Sequence, residues 1–264
     1  MKLLTLNVHA WQEDNQMTKI KQVAERIHNS RYDAVALQEV SQHKEAHYVY
    51  DHIRDDNYGY LIQQELNELG SADYQLVWDV SHYGYDVYEE GLALLVRHPI
   101  HTSESFYVTK SSSVDYWKSR KIVSAMCVIN EVPVSLYSCH LGWWGDEDEP
   151  YDSQVDVLMN HMNAEGLSFL LGDFNASDDR HEEGYDYILR KGWIDTHKVA
   201  LEQIGEETIE GKIAGWDQNK EGIKIDHIFC NQHVNVQKSE VVFDGRTTPI
   251  VSDHYGLEVT YTIG

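Results

Sequence analysis

The stretch Ser168-Phe169-Leu170-Leu171-Gly172-Asp173-Phe174-Asn175 is an apolar run that stops at a glycine and two short polar side chains. As a buried strand it delivers Asp173 and Asn175 to one side of its mouth and turns Phe174 the other way, because alternate strand residues share a face. A carboxylate beside an amide suits a hard cation or a phosphoryl oxygen. Taken alone, Gly-Asp-X-Asn is more often an Asx turn or a helix cap. Here it has company: Asn7, Glu39, His140, Asp226 and the pair Asp253-His254 also stand at the ends of apolar runs. Side by side, such strand ends converge on one pocket, as sheet proteins commonly arrange. A donor set rich in oxygen and poor in imidazole and thiolate selects magnesium, or manganese, over zinc.

Strands must carry these residues. Residues 2–8 form a β-rich apolar run, Ile20, Val23, Ala24 and Ile27 have helical spacing within residues 18–30, and residues 33–37 read as a second buried strand with Glu39 just past its end. The pattern predicts a helix over residues 60–69 closed by Gly70, and strands over 74–80, 91–97, 122–129 and 132–140. The last two are joined as a hairpin around Asn130-Glu131. Val155, Leu158 and Met162 predict a helix over 151–163, a short helix follows at 185–191, and strands at 225–230 and 255–263 close the chain. Strand pairs alternating with helices predict two packed sheets with helices outside, rather than a doubly wound parallel sheet.

A hydrophobic content of 42% supports a sizeable core, and only four prolines, with no linker-like run and no internal repeat, make the expectation a single domain over residues 1–264. Neither pattern of Gly-rich phosphate loop is present. Cys127, Cys139 and Cys230 lie in apolar runs, and their odd number and wide spacing fit neither a disulfide framework nor a zinc site. The apolar segment at residues 3–6 is too short for a signal-peptide core, so a reduced, cytoplasmic protein is expected. The net charge of -23 repels polyanions, which argues against nucleic acid and membrane as partners while leaving room for a small metal-held anion. The sequence leaves the oligomeric state open.

Leu6-Asn7-Val8, Leu37-Gln38-Glu39-Val40, Ser138-Cys139-His140-Leu141, Gly172-Asp173-Phe174-Asn175, Ile225-Asp226-His227-Ile228 and Ser252-Asp253-His254 together resemble, in order, the signature blocks of the endonuclease/exonuclease/phosphatase superfamily. The resemblance implies a four-layer α/β/β/α sandwich with two mixed, mostly antiparallel sheets, and metal-dependent hydrolysis of phosphate esters at one end. It implies magnesium at Glu39, Asn7 and Asp253, and His254 as base on water with Asp226 behind it. A carboxylate so placed raises an imidazole's basicity and fixes its tautomer. Asp173 and Asn175 would orient the nucleophile, His140 would donate to a phosphoryl oxygen, and Glu90 would orient His140. Cys139 and His227 depart from the residue types common there, at positions without assigned chemistry.

Three stretches bear on the substrate. Trp143 and Trp144 follow His140, and Trp11 follows Asn7. Trp117, Lys118, Arg120 and Lys121 form the one basic cluster of the chain, suited to gripping a single phosphate. Residues 81–90 read as one loop whose Tyr83, Tyr85 and Asp86 suit carbohydrate hydroxyls. These loops resemble those of the sugar-phosphate phosphatase branch of the superfamily, the maltose 6'-phosphate phosphatases in particular, which implies a small phosphorylated substrate. The alternatives are a phosphodiesterase of the nuclease or sphingomyelinase kind, and a non-catalytic module on the same fold. The former would need cationic tracks or an apolar membrane element, the latter a lost ligand; none of these is visible. Incubated with plasmid, abasic-site duplex and oligo(A) under magnesium, the protein is expected to leave all three intact; cleavage at catalytic rates would overturn the small-substrate expectation.

Overall fold

A computed structural model describes residues 1–162 and 166–262. In chain order the elements are β1 (Lys2–Asn7), α1 (Gln16–Ser30), β2 (Ala34–His43), β3 (Tyr48–Tyr50), β4 (Ile53–Arg54), α2 (Tyr58–Glu68), β5 (Gln75–Gly84), β6 (Tyr88–Val96) and β7 (Ile100–Tyr107). They continue as β8 (Lys121–Ile129), β9 (Val132–His140), α3 (Tyr151–His161), β10 (Leu167–Asp173), α4 (Gly184–Arg190), β11 (Ile194–Asp195), β12 (Glu202–Ile204), β13 (Asp226–Cys230), β14 (Asn235–Val242) and β15 (Gly256–Thr262). The expected ends at Asn163 and Ile263 lie outside the described residues.

Two large mixed sheets result. One has the order β12-β14-β15-β1-β2-β6-β5 and the other β11-β13-β10-β9-β8-β7. Most neighbours are antiparallel, but β1 runs parallel to β2 and β9 parallel to β10. Their inner faces meet in a core that includes Leu3, Ala36, Leu94, Val123, Leu136, Phe169, Leu171, Ile228 and Leu257. The outer face of the first sheet packs Leu4, Leu6, Val35 and Leu37 against Ile20, Val23 and Ile27 of α1 and Ile62 and Leu66 of α2. The second sheet packs Tyr137, Leu170 and Phe229 against Val155 and Leu158 of α3 and Ile188 of α4. Alternation along each strand thus feeds a central layer and a helical layer at once, which is the expected four-layer sandwich. Among the described residues no helix is long and apolar enough to cross a membrane.

Local signals act as read. The apolar stripe of α1 is buried at Ile20, Val23, Ala24 and Ile27. Asn57 caps α2 by accepting from the Tyr60 amide at 3.0 Å, and Gly70 takes the left-handed conformation after its end. Asn130 and Glu131 both have positive φ, as a two-residue hairpin turn of the β8–β9 kind requires.

Three expectations change. First, β2 does not stop before Glu39 but runs on to His43. Second, residues 81–90 are not one loop: β5 and β6 extend through most of them and turn at Tyr85 and Asp86, both left-handed. Third, β7 and β14 were not expected. The outer edge strand β7 is exposed from His101 to Ser105 and so carries no buried alternation, while an irregularity between Val236 and Lys238 interrupts the two-residue period of β14.

Gly172 is set by close approach, since a Cβ there would collide with the Cys139 carbonyl of the parallel neighbour. Gly172→Ala is therefore expected to destabilise the fold by about 2–3 kcal/mol through overpacking, read by urea unfolding; a neutral change would mean that β9 and β10 are not this closely apposed.

Candidate active site

The polar stations lie where the inter-sheet layer reaches one end of the sandwich. In β10, Phe169 and Leu171 point into that layer, so Asp173 continues the same face. Its register partners are His140 at the end of β9 and Asp226 at the start of β13, so three ionisable groups stand in one row across adjacent strands. From the opposite sheet, Leu3 and Thr5 precede Asn7 on the inward face of β1.

Glu39 reaches the mouth by a different device. Regular alternation would send it outward with Val35 and Leu37, into the helical layer. Instead the β2–β6 register shifts between Leu37 and Val40, Glu39 adopts φ 54°, and Val40 resumes the outward direction. The extra residue turns both Gln38 and Glu39 toward the inter-sheet side, a re-aiming for which bulges are suited. Gln38 donates to Ser138 across the sheets at 3.2 Å, while Glu39 Oε1 accepts from Asn7 Nδ2 at 2.9 Å.

Asn7 Nδ2 also donates to Asp173 Oδ2 at 3.2 Å, and its Oδ1 accepts from the His9 amide. The amide therefore bridges the carboxylates of the two sheets. His254 Nδ1 meets Asp226 Oδ2 at 2.9 Å, and its Nε2 stands 3.8 Å from Asp173 Oδ2. His140 Nε2 approaches the same oxygen at 3.6 Å. Asn175, with φ 47°, accepts from Trp216 Nε1 at 2.9 Å and donates to the Leu141 carbonyl. Asp253 faces His9 Nδ1 at 3.5 Å, and Glu13 shares that nitrogen at 3.0 Å.

So many buried acids perturb one another. Burial pushes the Asp173 carboxyl up to about 7, with Asp226 and Glu39 adding to the rise and His254 opposing it. Burial and Glu90 raise Glu39 as well. Burial works against charge on His254, yet Asp226 and Asp173 prevail and hold it at about 10. His140 lies well below the usual histidine value through burial and the nearby Arg120 and His254, so it is neutral at neutral pH. Asp173, Asp226 and His254 present ligand atoms within 4.8 Å of one another, as do His9, Glu13 and Asp253.

Not every expected residue gathers here. Glu90 is not behind His140: its Oε1 meets His82 Nε2 at 3.2 Å, while His82 Nδ1 faces the Ser119 carbonyl at 3.1 Å. The cavity at the mouth, about 420 Å³, is lined by Glu39, Glu90, His140, Asp173, Asn175, Asp253 and His254, with Tyr83, Tyr85, Trp117, Arg120 and Trp143 as walls. Lys118 is bound by Asp146 and Asp148, and Lys121 by Asp79, so of the three cations of that cluster Arg120 lines the cavity, beside Trp117. Trp11 donates to the Ser41 carbonyl and packs on Tyr58, away from the cavity. Asp86 is exposed at the hairpin turn, and Trp144 leans on Tyr151 and Tyr187 outside this cavity. His9, His82 and residues 213–215 also line it without having been expected. His9 could have been suspected from its place two residues after Asn7; the others carry no signal until distant segments meet.

The family description "Endonuclease/Exonuclease/phosphatase family" matches residues 4–254, and the chain belongs to that family. Its members are hydrolases, generally dependent on a divalent metal. A solved endonuclease/exonuclease/phosphatase family protein from Leptotrichia buccalis is 36% identical over the whole of both chains, with a TM-score of 0.93. A mannosyl-6-phosphatase from Bacteroides thetaiotaomicron shares the fold at 15% identity and TM-score 0.73, again over both whole chains. Truncated TDP2 from Caenorhabditis elegans does so at 18% and 0.67, over 98% of this chain and 96% of its own. No curated protein matches in sequence.

The His82–Glu90 contact is buried on both sides, so His82→Ala is expected to cost about 3 kcal/mol by leaving a buried carboxylate without its partner. Urea unfolding would read the loss, and the double variant His82→Ala with Glu90→Gln should recover part of it; equal stability of parent and His82→Ala would refute the pairing.

Proposed function

We propose that this protein is a magnesium-dependent phosphatase that releases inorganic phosphate from a small sugar phosphate, maltose 6'-phosphate being the compound named by the loop resemblance. The observation that carries the monoester reading is Arg120. Its guanidinium is 4% exposed, has no carboxylate within salt-bridge distance among the described residues, and has an Nε without a hydrogen-bond partner. It lies 5.6 Å from the Trp143 ring and lines the same cavity as Asp173 and His254. A buried unpaired cation there favours a dianion, and a phosphomonoester carries the second charge that a diester lacks. The Bacteroides mannosyl-6-phosphatase of the same fold is consistent with a sugar phosphate.

The residues present fit a divalent cation. Glu39, Asp173 and Asp253 line one cavity, Asn7 joins the first two, Asp173 stands within 4.8 Å of Asp226 and His254 as Asp253 does of His9 and Glu13, and Asp226 Oδ1 is buried without a partner. Carboxyls pushed up by mutual repulsion are stabilised when a cation shares them. Glu39 and Asp253 would hold it. Asn7, with its nitrogen committed to Glu39 and Asp173, keeps the two carboxylates in register. When bound, the metal supplies charge neutralisation at the phosphoryl oxygens and lowers the pKa of water.

The remaining steps belong to the chain. His254 is held by Asp226, and once the charge of the surrounding carboxylates is met its proton affinity falls from the value of about 10 that they impose, so that Nε2, the nitrogen that faces Asp173, takes the proton of the attacking water. Asp173 and Asn175 orient that water. Neutral His140 donates to a non-bridging oxygen, and Arg120 meets the charge that develops there. Trp117, Trp143, Tyr83 and Tyr85 line the space for the leaving sugar. Glu90 acts on His82 rather than on His140.

Chelation is expected to abolish phosphate release, and magnesium or manganese to restore it while calcium does so poorly, because calcium tolerates looser geometry. Full turnover after exhaustive chelation, in a panel of sugar phosphates, inositol phosphates, nucleotides and sphingomyelin, would sink the metal reading; a diester as best substrate would sink the monoester reading. Replacing His254 by Asn should lower kcat by about two to four orders of magnitude with KM little changed. Turnover of that variant within tenfold of the parent, a loss smaller than about 1.4 kcal/mol of transition-state stabilisation, would remove His254 as the base.

A further inference from the structure

A second cavity of about 400 Å³ adjoins the reaction cavity and shares Trp143, Asn175 and Gly215 with it. Its other walls come from Trp144, Arg180, Glu183 and the segment that carries Trp216, Asp217, Gln218 and Asn219. We propose that this cavity is a distal subsite for the unphosphorylated ring of an oligosaccharide phosphate. The proposal rests on the sugar-phosphatase reading above and gives it a length requirement.

Chemistry is the first support. Pyranose rings are bound by aromatic faces for their C–H surfaces and by planar polar groups for their hydroxyls, which donate and accept together. Trp144 is 37% exposed although it leans on Tyr151 and Tyr187. Asp217 and Gln218 are exposed, and among the described residues their side chains have no hydrogen-bond partner. The carboxylates of Asp217 and Glu183, the Gln218 amide and the Arg180 guanidinium therefore remain available around an indole. A flat nucleobase would be better served by two parallel aromatic planes. Here the ring of Trp216 is covered by Arg180 at 4.6 Å, and Trp144 has no parallel mate.

The second support is a direct link to the reaction centre. Trp216 is buried in a small cluster with Ile209, Ile223 and Ile225, so the segment bearing this wall has its own anchor. From there Trp216 Nε1 donates to Asn175 Oδ1 at 2.9 Å, and Asn175 in turn receives its backbone placement from Asp173 Oδ1 at 2.9 Å. A ring seated against the Trp216 segment therefore steadies the residue that stands two positions from Asp173. Binding energy from the non-reacting ring is then spent on alignment of the phosphoryl group, which raises kcat as well as lowering KM. Trp216 is a positioning residue in this scheme, and Asp217, Gln218 and Trp144 are specificity residues.

Steady-state kinetics on the whole protein with glucose 6-phosphate and a disaccharide 6'-phosphate would test this. The parent is expected to prefer the disaccharide ester at least tenfold in kcat/KM. Trp144→Ala, and separately the pair Asp217→Asn with Gln218→Ala, should bring that preference within about threefold of unity, through a lower kcat as well as a higher KM on the disaccharide ester. Trp216→Phe, which keeps the aromatic ring and deletes the N–H, should lower kcat on both esters. Equal kcat/KM of the parent on the two esters, proportional losses on both in the subsite variants, or a better rate on adenosine 5'-monophosphate than on the disaccharide ester would each overturn the proposal. If the parent hydrolyses no monoester, the function reading fails first. Calorimetric titration with unphosphorylated maltose then decides the cavity separately, where heat lost in Trp144→Ala supports the subsite and no heat with the parent overturns it.

Discussion

The end of the sandwich is organised by the cost of burying like charges. Glu39, Glu90, Asp173 and Asp226 are drawn from both sheets into one low-dielectric layer, where burial and neighbouring acids disfavour the ionisation of Glu39 and Asp173. Such an arrangement stands only if every carboxylate is met. Asn7 bridges two of them, His254 takes Asp226, and His82 takes Glu90. What these contacts leave over is negative. The same surplus gives His254 its high proton affinity, while burial and the nearby Arg120, His254 and His82 keep His140 neutral.

That field depends on strand register. Asp173, His140 and Asp226 are neighbours because β9 and β10 run parallel while β13 runs antiparallel, and a one-residue slip would turn the whole row into the helical layer. Gly172 permits the close approach that holds the register. The β2 bulge brings a carboxylate to the mouth from the other sheet, at the expense of a left-handed glutamate. Strain of this kind persists where the surrounding ladder over-determines it.

Outside the row, the cavity is furnished by segments with little to do with the sheets. The β5–β6 turn brings Tyr83 and Tyr85, the stretch before β8 brings Trp117 and Arg120, and the segment before β13 brings residues 213–216. Gly215 has a positive φ and no room for a Cβ against the Trp143 ring, so that segment can close on the indole only with glycine there. These walls shape the cavity beside the row.

The layers and the row were legible in the sequence because both rest on local periodicity. Alternating and helical apolar spacing specify which face of each element is buried, and a polar residue that ends such a pattern must emerge at the rim. Asn7, His140, Asp173, Asp226 and His254 follow from that rule alone. Glu39 does not, because a bulge obeys the ladder of its partner strand rather than its own sequence. The partners of Lys118, Lys121 and Glu90 were equally hidden. A lysine in a basic run looks free until Asp146, Asp148 or Asp79 arrives from another element, and a glutamate's histidine can be any that shares its strand register. Sequence determined that Asn7, His140, Asp173, Asp226 and His254 reach the mouth of the sandwich, since their burial is a property of pattern. Tertiary structure alone decided which charges remain unpaired there, since pairing is a property of distance between segments far apart in the chain.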